Sequence, residues 1–320
     1  MWLFHNADFP FIDQRRKAYV FTAVLLVLGI GAMVMNVARF GNWQNYGVDF
    51  TGGSLVQVQF NQPTTDNELR EALGGASAPP ITRFGTDNEF VIRAPIEEGV
   101  EIADVAAGLS AQMAAAFGEG TFEIRGRDLV GPKIGEELQA KALGAILFSF
   151  LLTLIYIAIR FEFRFGVAAV IATAHDVLVT LGFLALFRVE ISLPTVAALL
   201  TILGYSLNDT IVVFDRIREN LQKKGGKRED PYKLVNRSIN ETLPRTVLTS
   251  GTTLVVLMAL LILGGNVIRP FTIVLILGVL IGTYSSIFVA SPALLEIQKR
   301  WGTADDKKKK KKKTAAAATA

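Results

Sequence analysis

Six stretches of about twenty mostly apolar residues dominate the sequence, at 18–37, 140–159, 165–187, 193–214, 246–264 and 271–295. Each is long enough to cross a bilayer as a helix, which needs about 20 such residues. One stretch alone would fit a buried helix of a large soluble core. Six together, with the charges confined to the gaps between them, do not. Hydrophobic residues make up 51% of the 320, against 19% charged, which excludes a disordered chain and argues against a purely soluble enzyme. The first stretch follows Arg15, Arg16 and Lys17, is longer than the apolar part of a signal peptide and precedes no small-residue cleavage pattern. It therefore reads as an uncleaved anchor.

The cations set an expected orientation. Of the 33 lysines and arginines, 23 lie before the first stretch, at Arg160 and Arg164, within 216–245, or beyond the last stretch. The short loops on the other face hold only Arg188 and Arg269. Positive residues favour the cytoplasmic face, so both termini are expected there. The expected plan is a cytoplasmic N-terminus at 1–17, a first span at 18–38 and a periplasmic domain at 39–139. Five further spans at 140–295 then carry a cytoplasmic loop at 216–245, and a disordered polybasic tail follows at 296–320.

Residues 40–139 hold 15 acidic and 6 basic side chains and read as a compact α/β domain. Alternation over 54–60 predicts a strand, 65–73 a helix, and 81–84 and 90–94 two strands about the turn Gly85-Thr86-Asp87-Asn88. An alanine-rich helix at 101–117 and a strand at 121–129 complete β-α-β-β-α-β, the ferredoxin-like pattern. The fold class is thus a polytopic α-helical membrane protein with six transmembrane helices. One periplasmic α/β ferredoxin-like domain stands between the first and second of them.

Cysteine is absent and only His5 and His175 are present, so thiolate chemistry and a multi-histidine metal site are excluded. Gly47, Asp49, Gly52 and Gly53 open the external domain; without a following Gly-Lys-Ser/Thr, and leading into a strand, they fit a tight turn better than a nucleotide loop. The mixed charges of 216–230, with no interleaved aromatics, give only a weak nucleic-acid signal. Inside the spans, His175 and Asp176 lie mid-stretch, and Asp209 lies in the next stretch. A carboxylate there is costly and faces the bundle interior, a partner or water. Asp176 equally fits a helix-packing hydrogen bond. Thr201, Gly204, Tyr205, Asn208 and Asp209 share an arc of about 140° at 100° per residue, a polar stripe where a carboxylate can meet water. Arg245, after Pro244, stands within about two turns of the depth of Asp209, although spacing alone favours an ordinary positive anchor over a partner for that acid.

Three motifs together resemble the SecD/SecF family. They are Gly47-Val48-Asp49-Phe50-Thr51-Gly52-Gly53, the run from Gly204 through Asn208, Asp209 and Asp215 to Asn220, and Ser250-Gly251-Thr252-Thr253. The resemblance extends from about Phe11 to Lys299 and is closest to the SecF branch. It implies a non-enzymatic subunit of the resistance–nodulation–division superfamily in the bacterial inner membrane. Such a subunit pairs with SecD, which supplies a similar six-span half, and uses the proton-motive force to promote export of unfolded polypeptide through SecYEG. YajC and YidC are further implied partners. The proton is the coupling ion, and no other cofactor is implied. By the same resemblance Asp209 and Arg245 belong to the proton path, and Asp176 to the family's His-Asp pair. Within that superfamily a small-solute efflux permease is the alternative, which the small external domain disfavours. A static assembly factor is a third reading.

Overall fold

The computed structural model describes residue 4 and residues 7–83, 88–95, 102–160, 162–223 and 229–301. The turn at 85–87, the charged segment at 224–228, His5 and the lysine-rich tail lie outside the described residues. Six helices are long and apolar enough to cross a membrane, and the chain is a multi-pass membrane protein. They are α1 (Arg15–Phe40), α5 (Pro132–Arg160), α6 (Phe163–Leu186), α7 (Leu193–Gln222), α8 (Pro231–Leu263) and α9 (Gly265–Ser285). A π-helical turn, Ser286–Ala290, extends α9 into α10 (Ser291–Trp301). The sixth expected span is thus one apolar run in three helical segments.

Between α1 and α5 the chain forms β1 (Asn45–Tyr46), α2 (Val48–Thr51), β2 (Gly53–Phe60), α3 (Asp66–Ala72), β3 (Ile81–Arg83), β4 (Glu89–Pro95), α4 (Ile102–Phe117) and β5 (Phe122–Val130). Four of these strands make an antiparallel sheet in the order β3-β4-β2-β5. This is the expected ferredoxin-like order. Val56, Val58 and Phe60 alternate onto one face, opposite Phe90 and Ile92 of β4. Leu69, Leu109 and Met113 of the two helices cover that face. Thr65 caps α3 reciprocally with Glu68, and the backbone N–H of Thr65 holds the Glu68 carboxyl below the usual range.

In the bundle, α6, α7 and α9 form the buried centre, whereas α1, α5 and α8 are mostly exposed on the outside. Helix α1 meets α6 where Gly29 and Gly182 pack backbone to backbone; a Cβ on either would stand 2.7 Å from the other's Cα. Two features exceed the sequence expectation. Helix α8 begins at Pro231, inside the segment expected as a cytoplasmic loop, and continues through Pro244. The segment before α1 is also docked. Phe9 N donates to Asn240 Oδ1 at 2.8 Å, the Phe9 carbonyl accepts from Asn236 and Asn240, and Ile12 is buried.

Candidate functional site

Two polar clusters occupy the helical core. The first centres on Asp176 of α6, which is 1% exposed. Its Oδ1 lies 2.8 Å from His175 Nδ1, and its Oδ2 accepts from Ser206 Oγ of α7 and from Ser285 Oγ of α9, the latter at 2.7 Å. One carboxylate therefore ties three helices together. A buried carboxylate is tolerable when its oxygens accept several hydrogen bonds, and this one accepts three. His175 Nε2 is buried without a hydrogen-bond partner.

The second cluster centres on Asp209, one helical turn beyond Ser206 on α7 and 3% exposed. Its Oδ2 is buried with no hydrogen-bond partner, as is Thr246 Oγ1 of α8. Thr246 and Arg245 are the groups of α8 close enough to act on the Asp209 carboxyl. Asp209 and Arg245 do not come within ion-pair contact, and the Arg245 side chain is exposed. The two acids thus differ: Asp176 is saturated with donors, whereas Asp209 has an oxygen to spare.

Position on α8 is fixed from both ends of the site. Arg216 of α7 pairs with Glu241 of α8 at 2.6 Å, and buried Asn220 donates to both Ser238 and Glu241. Arg245 follows Glu241 by one helical turn. Beyond it, Tyr205 donates to Thr253 at 3.2 Å, and Ser250 meets Thr283 of α9 at 2.6 Å. The Ser250-Gly251-Thr252-Thr253 motif is therefore a seam between α8 and its two neighbours.

The expected polar stripe divides. Asp209 faces inward and Tyr205 is half-buried, but Thr201, Gly204 and Asn208 lie on the outer face of α7. The Thr201 hydroxyl is spent on the Ala197 carbonyl of its own helix. An arc of about 140° is wider than one helix–helix contact, so its two edges meet different surroundings. Sequence reasoning missed Ser206, Ser285 and Thr246. Serine and threonine are common in helices, and only their placement opposite a carboxylate marks these. Along α8 a groove of about 730 Å³ is lined by Pro244, Arg245, Leu248, Gly251, Thr252 and Val255. No group of three potential metal ligands exists among the described residues.

The family model described as protein export membrane protein SecD/SecF, C-terminal, matches residues 110–300, and that of the SecD/SecF GG motif matches 45–64. The protein translocase subunit SecF of Gemmatimonas aurantiaca is 46% identical over 311 residues, covering 95% of this chain and 91% of its own. The SecF of Escherichia coli O157:H7 is 39% identical, covering 88% and 85%. The chain belongs to the SecF family of protein translocase subunits. A crystal structure of SecDF from Thermus thermophilus, titled a translocon-associated membrane protein, superposes with a TM-score of 0.77 at 39% identity over 93% of this chain. SecDF in its super-membrane-facing form gives 0.67 at 38% identity. This chain spans 40% of either SecDF chain.

Proposed function

We propose that this SecF-family chain is the proton-responsive, non-enzymatic half of an inner-membrane SecD–SecF machine. In that machine the sheet domain is periplasmic and both termini are cytoplasmic. The observation that carries the reading is Asp209: a buried carboxylate with an unpartnered oxygen, beside Thr246 and an arginine that stops short of an ion pair. A site with its acceptor capacity unspent can take up a proton without breaking an existing hydrogen bond. Protonation removes the charge that attracts Arg245, and loss of the proton restores it. Such an electrostatic change biases how α7 packs against α8. Asp176 stands in the same polar core but with its oxygens engaged. The proton is the coupling ion in this reading, with no other cofactor.

SecD is the proposed partner at the outer face of α7 and α8. Asn208 and Arg245 are exposed there, an amide and a cation on an outer face that are ill-suited to lipid. The solved SecDF chains, which this chain covers only in part, leave room for a second half of that kind. SecYEG, with YajC and YidC, and the unfolded exported polypeptide are the further proposed partners, the polypeptide being acted on from the periplasmic side.

The test is Asp209→Asn, which keeps shape and one acceptor but removes titration. The complex should assemble at the normal level while proton-driven export of a secreted reporter fails. Arg245→Ala should fail similarly, and Arg245→Lys should restore export only in part, because lysine lacks the planar guanidinium fork. Normal export with Asp209→Asn would remove Asp209 from the mechanism and restore the static-scaffold reading.

A further inference from the structure

The Gly47–Gly53 motif that opens the external domain binds no ligand in the proposed function, yet its side chains and backbone are fastened to the membrane bundle. Asp49 Oδ2 accepts a 2.9 Å hydrogen bond from the backbone N–H of Leu193, the first residue of α7. Ser192, at the N-cap of α7, makes no side-chain capping bond and meets the Thr195 hydroxyl instead. The cap is therefore supplied from 144 residues away. A carboxylate at this end also suits the helix dipole.

Three further contacts surround that cap. Gly47 N donates to the Ile191 carbonyl at 2.9 Å, extending the two-residue parallel bridge of β1 with β6 (Glu190–Ile191). Arg93 of β4, in the domain's own sheet, pairs with Glu190 at 3.2 Å. Phe50, 2% exposed, belongs to one buried apolar cluster with Leu184 of α6, Ile191, Ala198 and Ile202 of α7, and Val274 of α9. Gly53 requires glycine, with φ +152° and the Ala94 carbonyl 2.5 Å from where a Cβ would be, whereas a Cβ on Gly47 would displace the Glu190 carboxylate. Burial holds the Glu190 carboxyl above its usual range, although Arg93 opposes this.

We propose that Asp49 is a positioning residue: by capping α7 it couples the external domain mechanically to the helix that carries Asp209. From Leu193 to Asp209, α7 is continuous over 16 residues, about 24 Å at 1.5 Å per residue. A tilt or shift of α7 on protonation therefore reaches the domain through the Asp49 cap, the β1–β6 bridge and the Arg93–Glu190 pair. The inference rests on the proposed proton response for its driving force, but the coupling itself is a property of this joint.

The test uses the complete SecD–SecF complex. The chain contains no cysteine, so spin labels at Glu119→Cys on the domain and Phe187→Cys on the membrane side are unique within it. The wild-type distance distribution should be narrow. Asp49→Ala should broaden it and lower export about tenfold, while Asp209-dependent proton flux into vesicles persists; Asp49→Asn, which retains a capping oxygen, should restore both to within about twofold. Arg93→Gln should broaden the distribution without touching the cap. An unchanged distribution in both Asp49→Ala and Arg93→Gln overturns the joint, and so does an Asn variant as defective as the Ala one. Proton flux that persists in Asp209→Asn instead defeats the proton reading, and the label distances still decide the joint.

Discussion

Two aspartates thirty-three positions apart have opposite hydrogen-bonding states, and this separates their roles. Asp176 holds Ser206 and Ser285 from two other helices, so its removal strands His175 and the Ser206 hydroxyl in the interior, while Ser285 keeps the Gly282 carbonyl. Asp176→Ala should lower the stability of the detergent-solubilised chain by about 3 kcal/mol, and Ser206→Ala by about 1 kcal/mol. Thermal unfolding followed by circular dichroism measures both, and equal losses would show that Asp176 does not clamp three helices. Asp209 lacks such bonds, so its neutral analogue should leave the melting temperature close to wild type. Both acids stand out in sequence because an ionisable residue in an apolar run is costly. Their difference does not, since it depends on donors carried by other helices.

At the scale of elements, apolar run length and alternation locate every span and every strand of the four-stranded sheet. Helix ends are less visible. The amphipathic start of α8 reaches Pro231 because its polar face is satisfied by α7 and by the N-terminal segment, through Asn220, Asn236 and Asn240. The Gly29–Gly182 contact is likewise invisible in either helix alone. Gly29→Ala places a methyl 2.7 Å from the Gly182 backbone, where no flexible atom can yield. The substitution should force α1 from α6 and cost about 1–3 kcal/mol, read as a lower melting temperature. Gly31→Ala, with open space around its Cβ, is the matched control and should melt as wild type.

For the whole molecule, the buried helices are α6, α7 and α9, so the bundle is one-sided, with the outer faces of α7 and α8 presenting polar groups. Gly204 lies on that face, with nothing within 4 Å of where a Cβ would stand. Gly204→Trp should therefore leave this chain folded, within about 0.5 kcal/mol, while blocking a helix that packs there. Co-purification with SecD measures the effect: loss of the partner at unchanged subunit level is expected. Retention at the wild-type level would place the partner elsewhere.

By itself the sequence determined six spans, the place and topology of the sheet domain, the family motifs and the two intramembrane acids. Those features are local: run length, period and an unfavourable charge can be read along one dimension. The tertiary structure alone decided that Asp176 is clamped while Asp209 keeps a free oxygen, and that the polar stripe of α7 splits between interior and outer face. It alone placed Asp49 on the first N–H of α7. The partners in these contacts lie 30, 109 and 144 residues apart in the chain. No spacing rule connects residues at such separations; only the packing of helices against one another, and of the sheet domain against their ends, brings them within hydrogen-bond reach.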